Sequence, residues 1–212
     1  MPLPAPPLLL ITDRRQAARP LDAVLAAALK AGCRWASLRE KDLPDAEQVA
    51  LALRLKPVAR RFGAVLTLHG TPELAKAAGL DGVHLPDGAD AAHARAVLGP
   101  SALIGVSQHR PGPADRAADY VIAAPVFLTA SKPGYGPALG LDGLAAMVAE
   151  AGRPVVALGG IASQQVPDCL KAGAAGIAVM GGVMRADDPG AEVAALLASM
   201  RCPAGISTER PA

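Results

Sequence analysis

The chain has 212 residues, 51% of them hydrophobic, and a formal net charge of +2 with both signs interspersed. That length and apolar fraction support one well-buried core, somewhat short for a full eight-unit α/β barrel. No basic block, basic–aromatic interleaving or apolar run of membrane-spanning length occurs, which argues against nucleic-acid and membrane partners.

Aromatic residues make up only 2% of the chain, so Ala, Val and Leu must build the core. Cys33, Cys169 and Cys202 are widely spaced and odd in number, which fits neither a disulfide framework nor a zinc site. Cys33 and Cys169 read as small buried apolar side chains. Residues 1–7 carry neither a basic stretch nor an apolar helix, so a secretory leader is not expected and a soluble cytoplasmic protein is.

Short apolar runs alternate with Ala-rich helical segments along the chain. In order, the patterning predicts a strand over Leu8–Thr12, a helix over Leu21–Ala31, a strand over Trp35–Arg39 and a helix over Asp45–Phe62. A strand over Val65–His69, a helix over Pro72–Ala78, a strand over Gly82–Leu85 and a helix over Ala91–Leu98 follow. After a strand over Leu103–Ser107, the segment Pro111–Ala118 is short enough to hold only a helical turn. The remaining elements are strands over Tyr120–Val126, Pro154–Gly159 and Gly176–Met180, with helices over Leu141–Ala151, Gln164–Ala172 and Pro189–Met200. Strand and helix alternating in this way imply right-handed βαβ units and a parallel sheet. Eight units point to a (β/α)8 barrel, and periodicity alone leaves an open doubly wound sheet as its rival. Residues 8–200 read as one domain, 1–7 as an N-terminal extension, and 203–212, without periodicity, as a disordered tail.

In a parallel barrel, chemistry gathers at the C-terminal ends of the strands. Period two puts Ser37, Arg39 and Lys41 on one face, Thr67 and His69 on another, and Gly105, Ser107 and His109 on a third. Arg39 and Lys41 bracket Glu40, either aimed at the barrel mouth, where they meet an anion, or lying in an exposed charged turn. His69 fits a ligand, a base or a capped structural residue. His109, just past a strand end, suits proton transfer. His84 reads as structural, His93 as solvent-facing, and Thr12-Asp13-Arg14 as a loop cap or, in the alternative, part of the mouth lining. Thr129, Ser131 and Lys132 place two hydroxyls and an ammonium within four residues, and Gly159-Gly160 and Gly181-Gly182 follow the next two strands. Together they read as a cradle for a phosphate-bearing small molecule, against the alternative of three ordinary loops with turn glycines. Nucleophile elbow, dinucleotide fingerprint, Walker loop and metal cage are all missing from the sequence.

Six segments occur together in one order: Ile11-Thr12-Asp13-Arg14, Leu38-Arg39-Glu40-Lys41-Asp42-Leu43, Asp81-Gly82-Val83-His84-Leu85, Gly105-Val106-Ser107-Gln108-His109, residues 125–132, and Ala157-Leu158-Gly159-Gly160-Ile161. In that order and spacing the chain resembles thiamine phosphate synthases and the related TenI-type thiazole tautomerases, over about residues 8–200. The resemblance implies a single (β/α)8 TIM barrel. Synthases of the family join a pyrimidine pyrophosphate to a thiazole phosphate with magnesium. Their pattern has Gln where Ser37 stands, and Asn-Asp-Arg where His69-Gly70-Thr71 stands, its Asp holding the metal. A second family carboxylate falls on or near Ala89, so Asp87 or Asp90 is the metal ligand this chain would use as a synthase.

The phosphate half of the family pattern is kept in Thr129, Ser131, Lys132, Gly159, Gly160, Gly181 and Gly182, although family members often carry Ser where Gly181 stands. Gly70, Leu85-Pro86 and Ile177-Ala178-Val179-Met180 resemble the tautomerases, which aromatise a thiazole carboxylate phosphate by moving a proton. Their acid/base histidine corresponds to His109, a position where synthases also carry histidine. The resemblance thus implies first a tautomerase needing no cofactor, with Arg39 or Lys41 on the substrate carboxylate. A magnesium-dependent synthase and a non-catalytic thiazole phosphate-binding regulator are the alternatives. The loop at 133–137 reads as a lid or an ordered turn, and homodimerisation stays open.

Overall fold

The structure, a computed structural model, describes residues 2–129 and 137–201. Eight parallel strands close into a barrel in sequence order: β1 (Leu8–Ile11), β2 (Trp35–Leu38), β3 (Val65–His69), β4 (Gly82–Leu85), β5 (Leu103–Gln108), β6 (Tyr120–Ala123), β7 (Val155–Leu158) and β8 (Gly176–Val179). β8 pairs back onto β1, with Leu9 opposite Ala178. Closure leaves no sheet edge, so the open-sheet alternative falls away.

The helices outside the barrel are α1 (Leu21–Lys30), α2 (Asp45–Arg61), α3 (Pro72–Ala77), α4 (Ala91–Leu98), α5 (Gly140–Ala151), α6 (Val166–Lys171), α7 (Gly181–Met184) and α8 (Pro189–Arg201). Small buried residues let them lie close to the strands: α1 turns Val24, Leu25, Ala28 and Leu29 inward at helical spacing. Cys33 and Cys169 are buried and free, as their apolar reading requires. No described helix is long and apolar enough to cross a membrane.

The barrel interior is a second core built from alternate strand positions, among them Leu9, Ile11, Trp35, Tyr120, Ile122 and Val156. The rings of Trp35 and Tyr120 meet edge to face at 4.8 Å. Tyr120 lies where a side chain of Gly105 would stand: a Cβ there would come within 2.0 Å of its ring. The N-terminal extension contributes to this core, because Leu3 packs against it and Ile177 N–H donates to the Pro7 carbonyl at 3.0 Å.

Two expectations need correction, and one element was missed. The segment over Pro111–Ala118 forms turns and contains no helix, so β5 reaches β6 without a helical crossover. β6 stops at Ala123 rather than Val126. Beyond it the backbone zips onto the end of β7, with Val126 N–H donating to the Leu158 carbonyl at 2.8 Å and Phe127 N–H to that of Gly159 at 3.0 Å. The short helix α7, directly behind β8, has too few residues to show a helical period and escaped the sequence reading.

Candidate functional site

A cavity of about 440 Å³ opens at the C-terminal end of the barrel. Arg39 and Lys41 from the β2 loop and His69 at the end of β3 line one side, and Asp87 stands on the rim after β4. Ser107 and His109 enter from β5, Thr129 from beyond β6, Gly159 and Gly160 after β7, and Gly181 and Gly182 after β8. These strand-end residues therefore converge as expected. Ser131, Lys132 and most of the 133–137 loop lie outside the described residues. Ser37 is fully buried inside the barrel and does not reach the cavity lining.

The charged turn is not exposed throughout. Glu40 is 2% exposed and points inward. It accepts from Thr12 Oγ1 at 2.7 Å and from Arg14 N–H at 3.0 Å, while Thr12 Oγ1 accepts from Arg39 N–H at 3.0 Å. This lock ties the β1 loop to the β2 loop. With Glu40 turned in, its neighbours Arg39 and Lys41 turn into the cavity. Burial raises the Glu40 carboxyl above its ordinary range, against the lowering effect of the Thr12 and Arg14 bonds. Burial and then the Arg39 charge lower the Lys41 ammonium. Arg14 itself pairs with Asp42 at 2.8 Å.

The glycine loop after β7 has a backbone requirement. Gly159 and Gly160 have φ of 108° and 63°. A Cβ on Gly160 would stand 2.5 Å from the Leu128 carbonyl oxygen, and one on Gly159 2.9 Å from Pro125. Glycine thus brings this loop against the segment carrying Thr129, so backbone amides and a hydroxyl share one wall, which suits an oxyanion.

His109 Nδ1 lies 2.7 Å from the Ala124 carbonyl oxygen. A carbonyl only accepts, so Nδ1 carries the proton and neutral His109 keeps its lone pair on Nε2. Ser107 Oγ lies 2.9 Å from Nε2 of the buried His84. His93 is exposed, pairing with Glu73 at 2.7 Å and distant in role from the cavity.

Magnesium prefers a near-octahedral set of oxygen ligands. Asp90 is not among the residues that line the cavity, and its Oδ1 accepts from His93 N–H at 2.9 Å, capping α4. Gly70 offers no side-chain donor, leaving Asp87 as the sole carboxylate among the described lining residues. No group of three or more His, Cys, Asp or Glu side chains suited to a metal occurs among the described residues. One carboxylate is fewer than the two in the family's pattern, so this lining would hold magnesium only through Asp87 together with the phosphates of a substrate.

One charged lining residue escaped the sequence reading. Arg185, at the end of α7, reaches the cavity beside Gly181 and Gly182. Its guanidinium donates to Gln16 Oε1, and Gln16 Nε2 donates to Asp13 Oδ2 at 2.6 Å. The available signal was its position four residues beyond Gly181, where one helical turn returns it to the loop.

The family model for thiamine monophosphate synthase matches residues 8–183. The chain belongs to the thiamine monophosphate synthase family. It is 46% identical over 197 residues to a Geobacter sulfurreducens protein provisionally named thiamine-phosphate synthase, covering 90% of this chain and 92% of that one. It is 38% identical to the thiamine-phosphate synthase of a Roseiflexus species, over 88% of this chain and 81% of the relative. The solved structure of thiamine phosphate pyrophosphorylase from Pyrococcus furiosus superposes with a TM-score of 0.78 at 29% identity, over 91% of this chain and 94% of the other. The family places the chain among the enzymes of thiamine biosynthesis.

Proposed function

We propose that the chain is a TenI-type thiazole tautomerase, with the cavity taking a thiazole carboxylate phosphate. The observation that carries this reading is the contrast between the two halves of the site. A histidine of fixed tautomer lines the cavity, whereas the carboxylates that would hold magnesium are reduced to Asp87. The phosphate docks against the Gly159–Gly160 and Gly181–Gly182 loops and Thr129, with Ser131, Lys132 and Arg185 as further partners. Arg39 or Lys41 takes the carboxylate; the repulsion between these two cations is relieved by an anion between them. His109 accepts the proton on Nε2, and its imidazolium returns one elsewhere on the ring system. Aromaticity supplies the driving force, and no charge leaves the substrate.

The synthase reading keeps one support of its own: the names of the relatives, together with Arg39, Lys41 and Asp87 on one rim. Parallel assays separate the two. Turnover of the non-aromatic thiazole tautomer, with no thiamine phosphate formed from pyrimidine pyrophosphate, thiazole phosphate and magnesium, supports the tautomerase. Formation of thiamine phosphate and pyrophosphate supports the synthase. Tight product binding without either turnover marks a regulatory binder.

A further inference from the structure

We propose that His84 is a positioning residue for Ser107: it donates its Nε2–H to Ser107 Oγ and so turns the serine hydroxyl proton toward the cavity as a donor to the ligand. The inference rests on that cavity being the substrate site. It concerns a side chain that does not itself line the cavity.

His84 stands in β4 with its ring inside the barrel, fully buried. Its Nε2 is 2.9 Å from Ser107 Oγ. Burial, and then the charge of Lys41, keep the ring neutral, so it carries a single N–H. The direction of the Ser107 bond therefore depends on the tautomer. Nδ1 of His84 is buried and has no hydrogen-bond partner among the described residues. With the proton on Nδ1, a buried N–H is orphaned. With the proton on Nε2, the orphan is a lone pair, and under-satisfied acceptors are the commoner exception in folded proteins.

Trp35 Nε1, Ser37 Oγ and the Tyr120 hydroxyl are also buried with no hydrogen-bond partner among the described residues. The ring has little freedom to turn over: His69 packs at 4.6 Å and Tyr120 at 5.7 Å between ring centroids. Tyr120 occupies the space above Gly105, which pairs with His84 in the sheet.

With its oxygen accepting from His84, Ser107 has its one proton left for another partner. Ser107 lines the cavity near His109, so that proton meets an acceptor atom of the ligand. The bland alternative is a satisfied core histidine whose bond to Ser107 runs in the other direction.

Nitrogen-15 NMR of the intact protein reads the tautomer directly. The chain has four histidines, and the His84 signals are assigned by their loss in His84→Gln. The expected result is a proton on Nε2 that stays there from neutral pH to about pH 5. A proton on Nδ1, or titration within that range, overturns the proposal. The functional arm compares Ser107→Ala, His84→Leu and the double variant. The same fold-loss in turnover for all three, with most activity restored in His84→Gln through its amide N–H, supports positioning. Additive losses, or His84→Gln as impaired as His84→Leu, overturn it. The tautomer measurement needs no substrate, so its failure is distinguishable from failure of the tautomerase reading.

Discussion

The Nδ1 atom of His109 lies 2.7 Å from the carbonyl oxygen of Ala124, and this contact decides which nitrogen is basic. Ala124 is the residue just beyond β6, so the backbone that leads into the Thr129 segment also orients the proton-transfer residue. Replacing His109 by Ala is expected to lower aromatisation by about 10²- to 10⁴-fold, the usual contribution of a positioned acid/base. Binding of thiazole phosphate, followed by calorimetry, is expected to change little. Unchanged turnover removes His109 from the mechanism.

Glu40 governs the orientation of the cationic side. Glu40→Ala leaves Thr12 Oγ1 and Arg14 N–H without their acceptor in a buried place. The expected cost is about 1–3 kcal/mol in stability, measured by denaturant unfolding, together with weaker carboxylate binding as Arg39 and Lys41 lose their fixed loop. A variant as stable as the parent contradicts the lock.

Acid stability carries the signature of His84. Burial, then the Lys41 charge, push its pKa down to about 3 from the ordinary 6.5. Between those values the unfolded chain binds a proton that the folded chain refuses, so stability falls as pH falls through that window. The slope from this group is at most about 1.4 kcal/mol per pH unit. Glu40 acts with the opposite sign: its raised pKa gives stability present below the ordinary 4.5 and lost as pH rises through the raised value. Unfolding curves of the parent minus those of His84→Gln isolate the histidine. Identical pH slopes in the two proteins refute the assignment. His69, Tyr120 and Lys41 are the other titratable groups near this ring, and they are common to both proteins.

Arg185→Gln tests the added cation. A guanidinium hydrogen-bonded to a phosphate contributes roughly 1.5–3 kcal/mol, so the variant is expected to bind a phosphate ligand at least roughly tenfold more weakly. Its affinity for the dephosphorylated heterocycle is expected to stay the same. An equal loss for both ligands places Arg185 away from the phosphate.

Much of the barrel was legible because its signals are local. Val65–His69, Gly82–Leu85 and Ala91–Leu98 have the predicted bounds, since apolar runs and a capping Asp90 mark them directly. The end of β6 was not legible: Val126 continues the apolar run, but its N–H bonds to Leu158, a partner more than thirty residues away. The same holds for Glu40, whose burial depends on Thr12 across two loops. Asp90 is the converse case: its Oδ1 takes a local partner, the His93 N–H at the start of α4, and the residue stands outside the cavity lining. Arg185 was missed because α7 has only four residues and shows no period.

The central claim is that this site moves a proton and does not displace pyrophosphate. The most direct test is one protein sample assayed in parallel for aromatisation of the thiazole carboxylate tautomer and for coupling of thiazole phosphate to pyrimidine pyrophosphate with magnesium. Aromatisation that persists in a chelator, with coupling at background, is the predicted result. Magnesium-dependent formation of thiamine phosphate, with the tautomer untouched, contradicts it.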